Sequence, residues 1–171
     1  MESILKILLY PLYALASWIL TIIAYLFAPI IVLFQKEGEL ILSWFGTPDA
    51  PAIGADFWKR DNQKYSDYQL AVTWMWRNPA QGFDYFARAN VTTATPVTVR
   101  GSLYIDDSVN PVGGWFLITG GGYFDFRLIV PTKYGCFISY AGWNLVPLAK
   151  KLPSDLLGAL RATPLRLHKA K

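Results

Sequence analysis

Residues 7 to 34 read ILLYPLYALASWILTIIAYLFAPIIVLF, a run of 28 positions without a charged side chain. No other feature restricts the fold so strongly. An apolar helix of roughly 20 residues crosses a hydrocarbon core of about 30 Å, and this run extends about 42 Å at ~1.5 Å per residue. That suffices for one tilted or kinked crossing and falls short of two. A cleaved signal peptide fits less well. Ala14-Leu15-Ala16 has the small-x-small cleavage form, but the apolar run continues past it to Phe34. A soluble core helix with no charged position would need a larger protein around it on every side. We therefore expect a single transmembrane helix, with Pro11 and Pro29 marking kinks or boundaries near its ends. Tyr10, Tyr13, Trp18 and Tyr25, and beyond the run Trp44 and Phe45, suit the interfaces.

The rest of the chain narrows the class by exclusion. Its 171 residues suit one domain. Hydrophobic residues make up 53% and charged residues 16%, against about 25% charged in soluble domains. Such a chain is too apolar to be disordered. One cysteine, Cys136, excludes a disulfide scaffold, and Cys136 and His168 alone cannot make a Cys/His zinc site. From Leu148 onward, Lys150, Lys151, Arg161, Arg166, Lys169 and Lys171 face one acid, Asp155. Cationic segments stay on the cytoplasmic side, so the C-terminal part is expected inside the cell. Leu156, Leu157 and Leu160 would share a helical face, making residues 148–171 a basic amphipathic tail. Lys150, Lys151, Arg161 and Arg166 are its candidate membrane-surface residues.

Between the apolar run and the tail, the pattern changes twice. Residues 36–62, punctuated by Gly38, Gly46, Pro48, Pro51 and Gly54, read as an interfacial connector with a turn at Thr47-Pro48-Asp49. Residues 63–77 read as a helix with Tyr68, Val72, Met75 and Trp76 on one face. Asn78-Pro79 should end it and begin a second helix that reaches about Ala89, with Asn78 as its cap. Beyond Val91 the period becomes two. Strands are expected over Val97 to Ile105, Trp115 to Thr119, Tyr123 to Val130 and Cys136 to Trp143, with a hairpin at Gly120-Gly121-Gly122. In the third, Phe124, Phe126, Leu128 and Val130 oppose Asp125 and Arg127. The expected fold is α+β: a membrane helix over 1–35, then a small domain over 63–147 with two short helices packed on a roughly four-stranded antiparallel meander.

A search for chemistry returns little. A Cys136–His168 dyad would join a strand to a loose end, and Cys136 reads as a small core residue. The glycine run lacks the Lys-Ser/Thr of a phosphate loop and leads into a strand. Asp106 and Asp107 fit a turn, and Asp125 and Arg127 fit a surface pair worth ~0–1 kcal/mol. Tyr104, Arg100 and Arg127 could form a stacking face for single-stranded nucleic acid, but the basic excess lies in the tail, so nucleic acid is not an expected partner. No catalytic residue, metal ligand or cofactor is assigned.

Three segments carry a resemblance: Trp44-Phe45-Gly46-Thr47-Pro48-Asp49, the stretch from Trp74 through Arg77-Asn78-Pro79 to Gly82-Phe83, and Gly142-Trp143-Asn144-Leu145. With the apolar anchor, over residues 7 to 146, the chain resembles a family of small bacteriophage and prophage membrane proteins without an assigned function. The resemblance implies a viral origin and a bacterial host membrane, and it supplies no activity. Trp74, Arg77, Asn78, Pro79, Gly82, Phe83, Gly142 and Trp143 form its structural motif. Their expected roles are helix punctuation, close packing at Gly82, and closure of the last strand by Trp143. The function expected is a non-enzymatic, single-pass accessory protein of the host inner membrane, bound to the bilayer and to a host or phage protein. Its role would be envelope modification or exclusion. A virion structural or assembly protein and a lysis-related membrane protein are the alternatives.

Overall fold

The computed structural model describes residues 2–36, 39–40, 43–46, 56–108 and 110–169. The expected turn at Thr47-Pro48-Asp49 lies outside them. Contacts divide the chain into two compact units, one formed by Met1–Ala14 with Arg88–Lys171 and the other by Leu15–Ala87. The first helix, α1 (Glu2–Ile31), contributes its opening turns to the former and the remainder to the latter. It runs through Pro11 and Pro29, and a 3-10 turn, Val32–Phe34, follows its end. Over Ile7–Phe34 it is long and apolar enough to cross a membrane, with a mean hydropathy of 2.3.

The unit of Leu15–Ala87 is helical. After α1 come a two-residue ladder of β1 (Gln35–Lys36) with β2 (Glu39–Leu40), a 3-10 turn at Ser43–Phe45, and the short helix α2 (Asp56–Asp61). Helix α3 (Asp67–Arg77) starts four residues later than the apolar spacing suggests, because Ser66 caps it. The Gln69 N–H donates to Ser66 Oγ, and the Ser66 N–H donates to Gln69 Oε1 at 3.0 Å. This reciprocal box satisfies two donors that a helix start leaves open. Val72 and Met75 face inward as expected, joined by Leu70, Ala71 and Trp74, whereas Tyr68 and Trp76 stay partly exposed.

Asn78 ends α3 and does not cap the next helix. Its N–H donates to the Trp74 carbonyl at 3.0 Å, and its side-chain amide donates to the same oxygen. Pro79 holds the preceding residue outside helical geometry, so Asn78 adopts φ −127° and ψ 54°. Helix α4 (Gln81–Phe86) begins only after Ala80, which takes a left-handed φ of 56°, and it stops short of Ala89. The core of this unit joins Ala24, Ala28, Ile31 and Val32 to Phe45, Ala71, Val72 and Met75.

The other unit is a five-stranded antiparallel meander: β3 (Val97–Gly101), β4 (Gly114–Gly120), β5 (Tyr123–Thr132), β6 (Gly135–Trp143) and β7 (Leu160–Lys169), in that spatial order. The expected hairpin forms: Gly121 and Gly122, at φ 58° and 80°, supply the double left-handed turn that matches strand twist. β3 is shorter than expected and mostly exposed, as an edge strand, although Ile105 beyond it is buried. The largest departure is β7. Residues expected as an amphipathic tail form a helix only at α5 (Val146–Lys150) and then the fifth strand, along the edge of β6. Thr163 suits a pleated strand and Pro164 would break a helix, and the open β6 edge offers the backbone groups of this segment a partner.

Cross-strand register assigns the faces. Phe116, Ile118, Tyr123, Ile129, Cys136 and Ile138 share one face and are buried. Asp125 and Arg127 lie on this same core face, which corrects the expectation of a surface pair. Phe124, Phe126, Leu128 and Val130 do share the opposite face, but Val130 there is 45% exposed. Arg100 pairs with Leu117 and Arg127 with Phe116, so the two arginines lie on opposite faces and build no common stacking surface.

Candidate functional site

Three surfaces hold the chemistry: one flank of α1, the polar part of the sheet core, and the open sheet face. On α1, small residues recur where packing is close. Ala14, Ser17, Ala24 and Ala28 are buried, whereas Leu15, Ile19, Ile22, Leu26 and Ile30 are half exposed or more. Within the helical unit, Pro29 lacks an N–H, so the Tyr25 carbonyl loses its intrahelical donor. The Trp76 indole supplies one, donating to Tyr25 O at 3.1 Å. Beside it the Tyr68 hydroxyl donates to the Pro29 carbonyl at 2.9 Å. Further along, Ser17 Oγ donates to Asp84 Oδ1 at 2.9 Å. An ionisable side chain thus meets α1 near the middle of its uncharged run. At a bilayer centre an acidic side chain costs roughly 2.5–3.5 kcal/mol.

The motif residues of the helical unit pack around one another. The Arg77 guanidinium stacks over Trp58 at 5.0 Å and over Trp74 at 5.6 Å. Gly82 lies so close to the Ser43 carbonyl that any β-carbon would overlap it, as the expected tight packing requires. Phe83 meets the Trp44 ring at 5.3 Å. In the sheet unit, Gly142 combines a φ of 101° with close approach to the Phe124 carbonyl, so both conformation and space exclude a side chain. Trp143, 0% exposed, meets Tyr10, Tyr123 and Phe124 edge-on at 5.4, 5.1 and 5.8 Å. The Tyr10 hydroxyl donates to the Arg161 carbonyl at 2.8 Å. By its sequence position alone, Tyr10 reads only as an interfacial ring.

Within the sheet core, Asp125 Oδ2 accepts from the Leu145 N–H at 2.8 Å. Burial pushes its carboxyl above the usual range, against the pull of that hydrogen bond and of Arg127 and Arg161. Arg127 lies over the rings of Tyr140, at 4.5 Å, and Phe116, at 5.3 Å. The Tyr140 hydroxyl donates to Asp107 Oδ2 at 2.9 Å, and burial pushes its phenol up to about 12. His168 is no loose end: it pairs with Cys136 across β6 and β7. The electrostatics oppose a nucleophilic thiol nonetheless. Cys136 is 0% exposed, and burial, with Asp107 and Asp106 nearby, pushes its thiol up. A reactive cysteine needs the reverse. Among the described residues no group of three or more His, Cys, Asp or Glu side chains could hold a metal ion.

The four expected membrane-surface cations do not share a helix. Lys150 and Lys151 close α5, while Arg161 and Arg166 lie on β7, opposite Gly142 and Ile138. The outer sheet face is a different kind of surface. Trp115 pairs with Leu128, and Val130, Phe137 and Leu167 form one cross-strand row. Trp115, Val130, Phe137 and Leu167 are 48%, 45%, 40% and 46% exposed. Lys133 and Tyr134 cap this end of the sheet in the β5–β6 turn, the ammonium 4.7 Å from the ring centre. The sequence marked these strands as apolar. It did not mark which face would remain open, because both faces of β5 carry apolar side chains.

These features define an α+β protein with an apolar N-terminal helix and an antiparallel sheet. The chain belongs to the DUF7338 family, a family of unknown function, whose match spans residues 1–168. Neither curated proteins nor solved structures yield a match to it.

Proposed function

We propose that this chain is a non-enzymatic accessory protein of a bacteriophage or prophage, held at the host inner membrane by α1 and acting there by binding a protein. The observation that carries the reading is the open apolar face of the sheet. Trp115, Val130, Phe137 and Leu167 present aromatic and aliphatic side chains on a rigid ladder, which is the composition of the fully buried centre of a protein interface. The uncharged run of α1 supports attachment to a membrane. The three motif segments support the phage origin, and the basic excess after Leu148 supports a cytoplasmic position for the sheet unit. The partner is a host or phage protein with a complementary apolar surface.

Photoreactive amino acids at Trp115 and Leu167 test this in infected cells, with Lys64, exposed in the helical unit, as the control position. The expected result is one discrete crosslinked protein from the two sheet positions, lost on Phe137→Glu while circular dichroism retains the sheet. Equal labelling of many proteins from all three positions overturns the reading.

A further inference from the structure

We propose that α1 does not cross the bilayer but lies along its surface, with the Leu15–Ile30 flank immersed in one leaflet. The inference rests on the membrane attachment proposed above and concerns the helical unit. Within that unit, the stretch of α1 from Leu15 onward is accompanied along its length. Asp84 meets it at Ser17, Trp76 at Tyr25 and Tyr68 at Pro29. Of the elements that accompany it, α3 carries polar side chains on its outer side. Asp67, Gln69 and Arg77 on α3 are exposed. A helix set perpendicular to the membrane would draw these side chains, and Asp84, into the hydrocarbon with it, where ionisable groups are strongly disfavoured.

The exposed side of α1 fits lipid. Leu15, Ile19, Ile22, Leu26 and Ile30 are 50%, 50%, 58%, 67% and 53% exposed. They recur at steps of four, three, four and four residues, which is one stripe along a helix. The covered residues Ser17, Ala24, Ala28 and Ile31 lie on the other side. Trp18 and Tyr25 occupy the border between the two stripes, 40% and 52% exposed, where amphipathic rings suit the headgroup region. Alone, α1 has no polar face and would satisfy the requirement for a span. Layered with α3, it forms the apolar side of a unit whose other side carries Asp67, Gln69 and Arg77. An in-plane helix immerses its apolar face by about 5–10 Å, which takes in this stripe and leaves α3 and α4 in water.

The full chain, purified and added to preformed phosphatidylcholine/phosphatidylglycerol vesicles, provides the test. Single spin labels at Leu15, Ile22 and Ile30 in a Cys136→Ala background report depth. Equal depth at the three sites is the expected result. A maximum at Ile22 with both flanking sites shallow means a span and overturns the proposal. The unmodified chain gives a second measurement free of any folding defect in the variants. An impermeant amine reagent outside the vesicles should label the chain to the same extent before and after the vesicles are opened with detergent, and lysines protected until the vesicles are opened overturn the in-plane placement. Failure of the chain to float with the vesicles overturns membrane attachment itself, a result distinct from either pattern above.

Discussion

A carboxylate enclosed in a sheet core, as Asp125 is, answers to pH in a fixed direction. Its pKa is raised from the ordinary 3.8, first by burial. The folded protein therefore holds that proton more tightly than the unfolded chain does. Stability from this group is greatest below the unfolded value and declines as pH rises through the folded one. Asp125→Asn keeps an oxygen acceptor for the Leu145 N–H and removes the charge. Urea unfolding in mild detergent should show a flatter dependence above about pH 4 for this variant than for the parent. Asp125→Ala should lose about 1–3 kcal/mol, because the Leu145 N–H is then buried without an acceptor. A variant as stable as the parent would mean that the loop at Leu145 relaxes to find water.

Among the elements, β7 has the most to answer for. It closes the sheet by pairing with β6 from Gly135–Lys169 to Trp143–Leu160, interrupted by a bulge between Ile138 and Tyr140. A chain ending at Gly158 should fail to give a cooperative unfolding transition and should aggregate, since β6 would become an uncovered edge. Gel filtration and near-ultraviolet circular dichroism of the truncated chain check this. The contrast with the Gly121-Gly122 hairpin shows what a sequence exposes. Two adjacent glycines between alternating apolar runs have one good local solution, so that turn was legible. Leu156, Leu157 and Leu160 satisfy a helical spacing within a few residues, but Gly158, at φ 75°, breaks the run and Leu160 pairs with Trp143 on the distant β6 edge. The same holds for Asn78, whose capping chemistry suits either helix until Pro79 and the left-handed Ala80 set the boundary. At the candidate site, the apolar alternation of β5 was readable. The identity of its core face was not, because Asp125 is made tolerable by a backbone N–H twenty residues away in the chain.

For the molecule as a whole, α1 is a part of both folded units. Tyr10 covers Trp143 in the sheet unit, and Ala24 and Ala28 complete the core around Val72 and Met75 in the helical unit. Removing residues 1–34 should therefore not release a soluble domain. The shortened chain is expected to bind a hydrophobic dye strongly and to lack near-ultraviolet circular dichroism. A monomeric, cooperatively unfolding product would show that the helix is dispensable for folding. The hydrogen bond from Tyr10 to the Arg161 carbonyl joins groups 151 residues apart. On the ribosome, the opening turns of α1 must wait for β7, made some 151 residues later. Until β7 is made, Tyr10 and the apolar side chains around it lack their sheet partner. With the membrane attachment proposed above, delivery to the bilayer would come before the sheet can be finished, and the lipid would serve the nascent chain as a temporary chaperone.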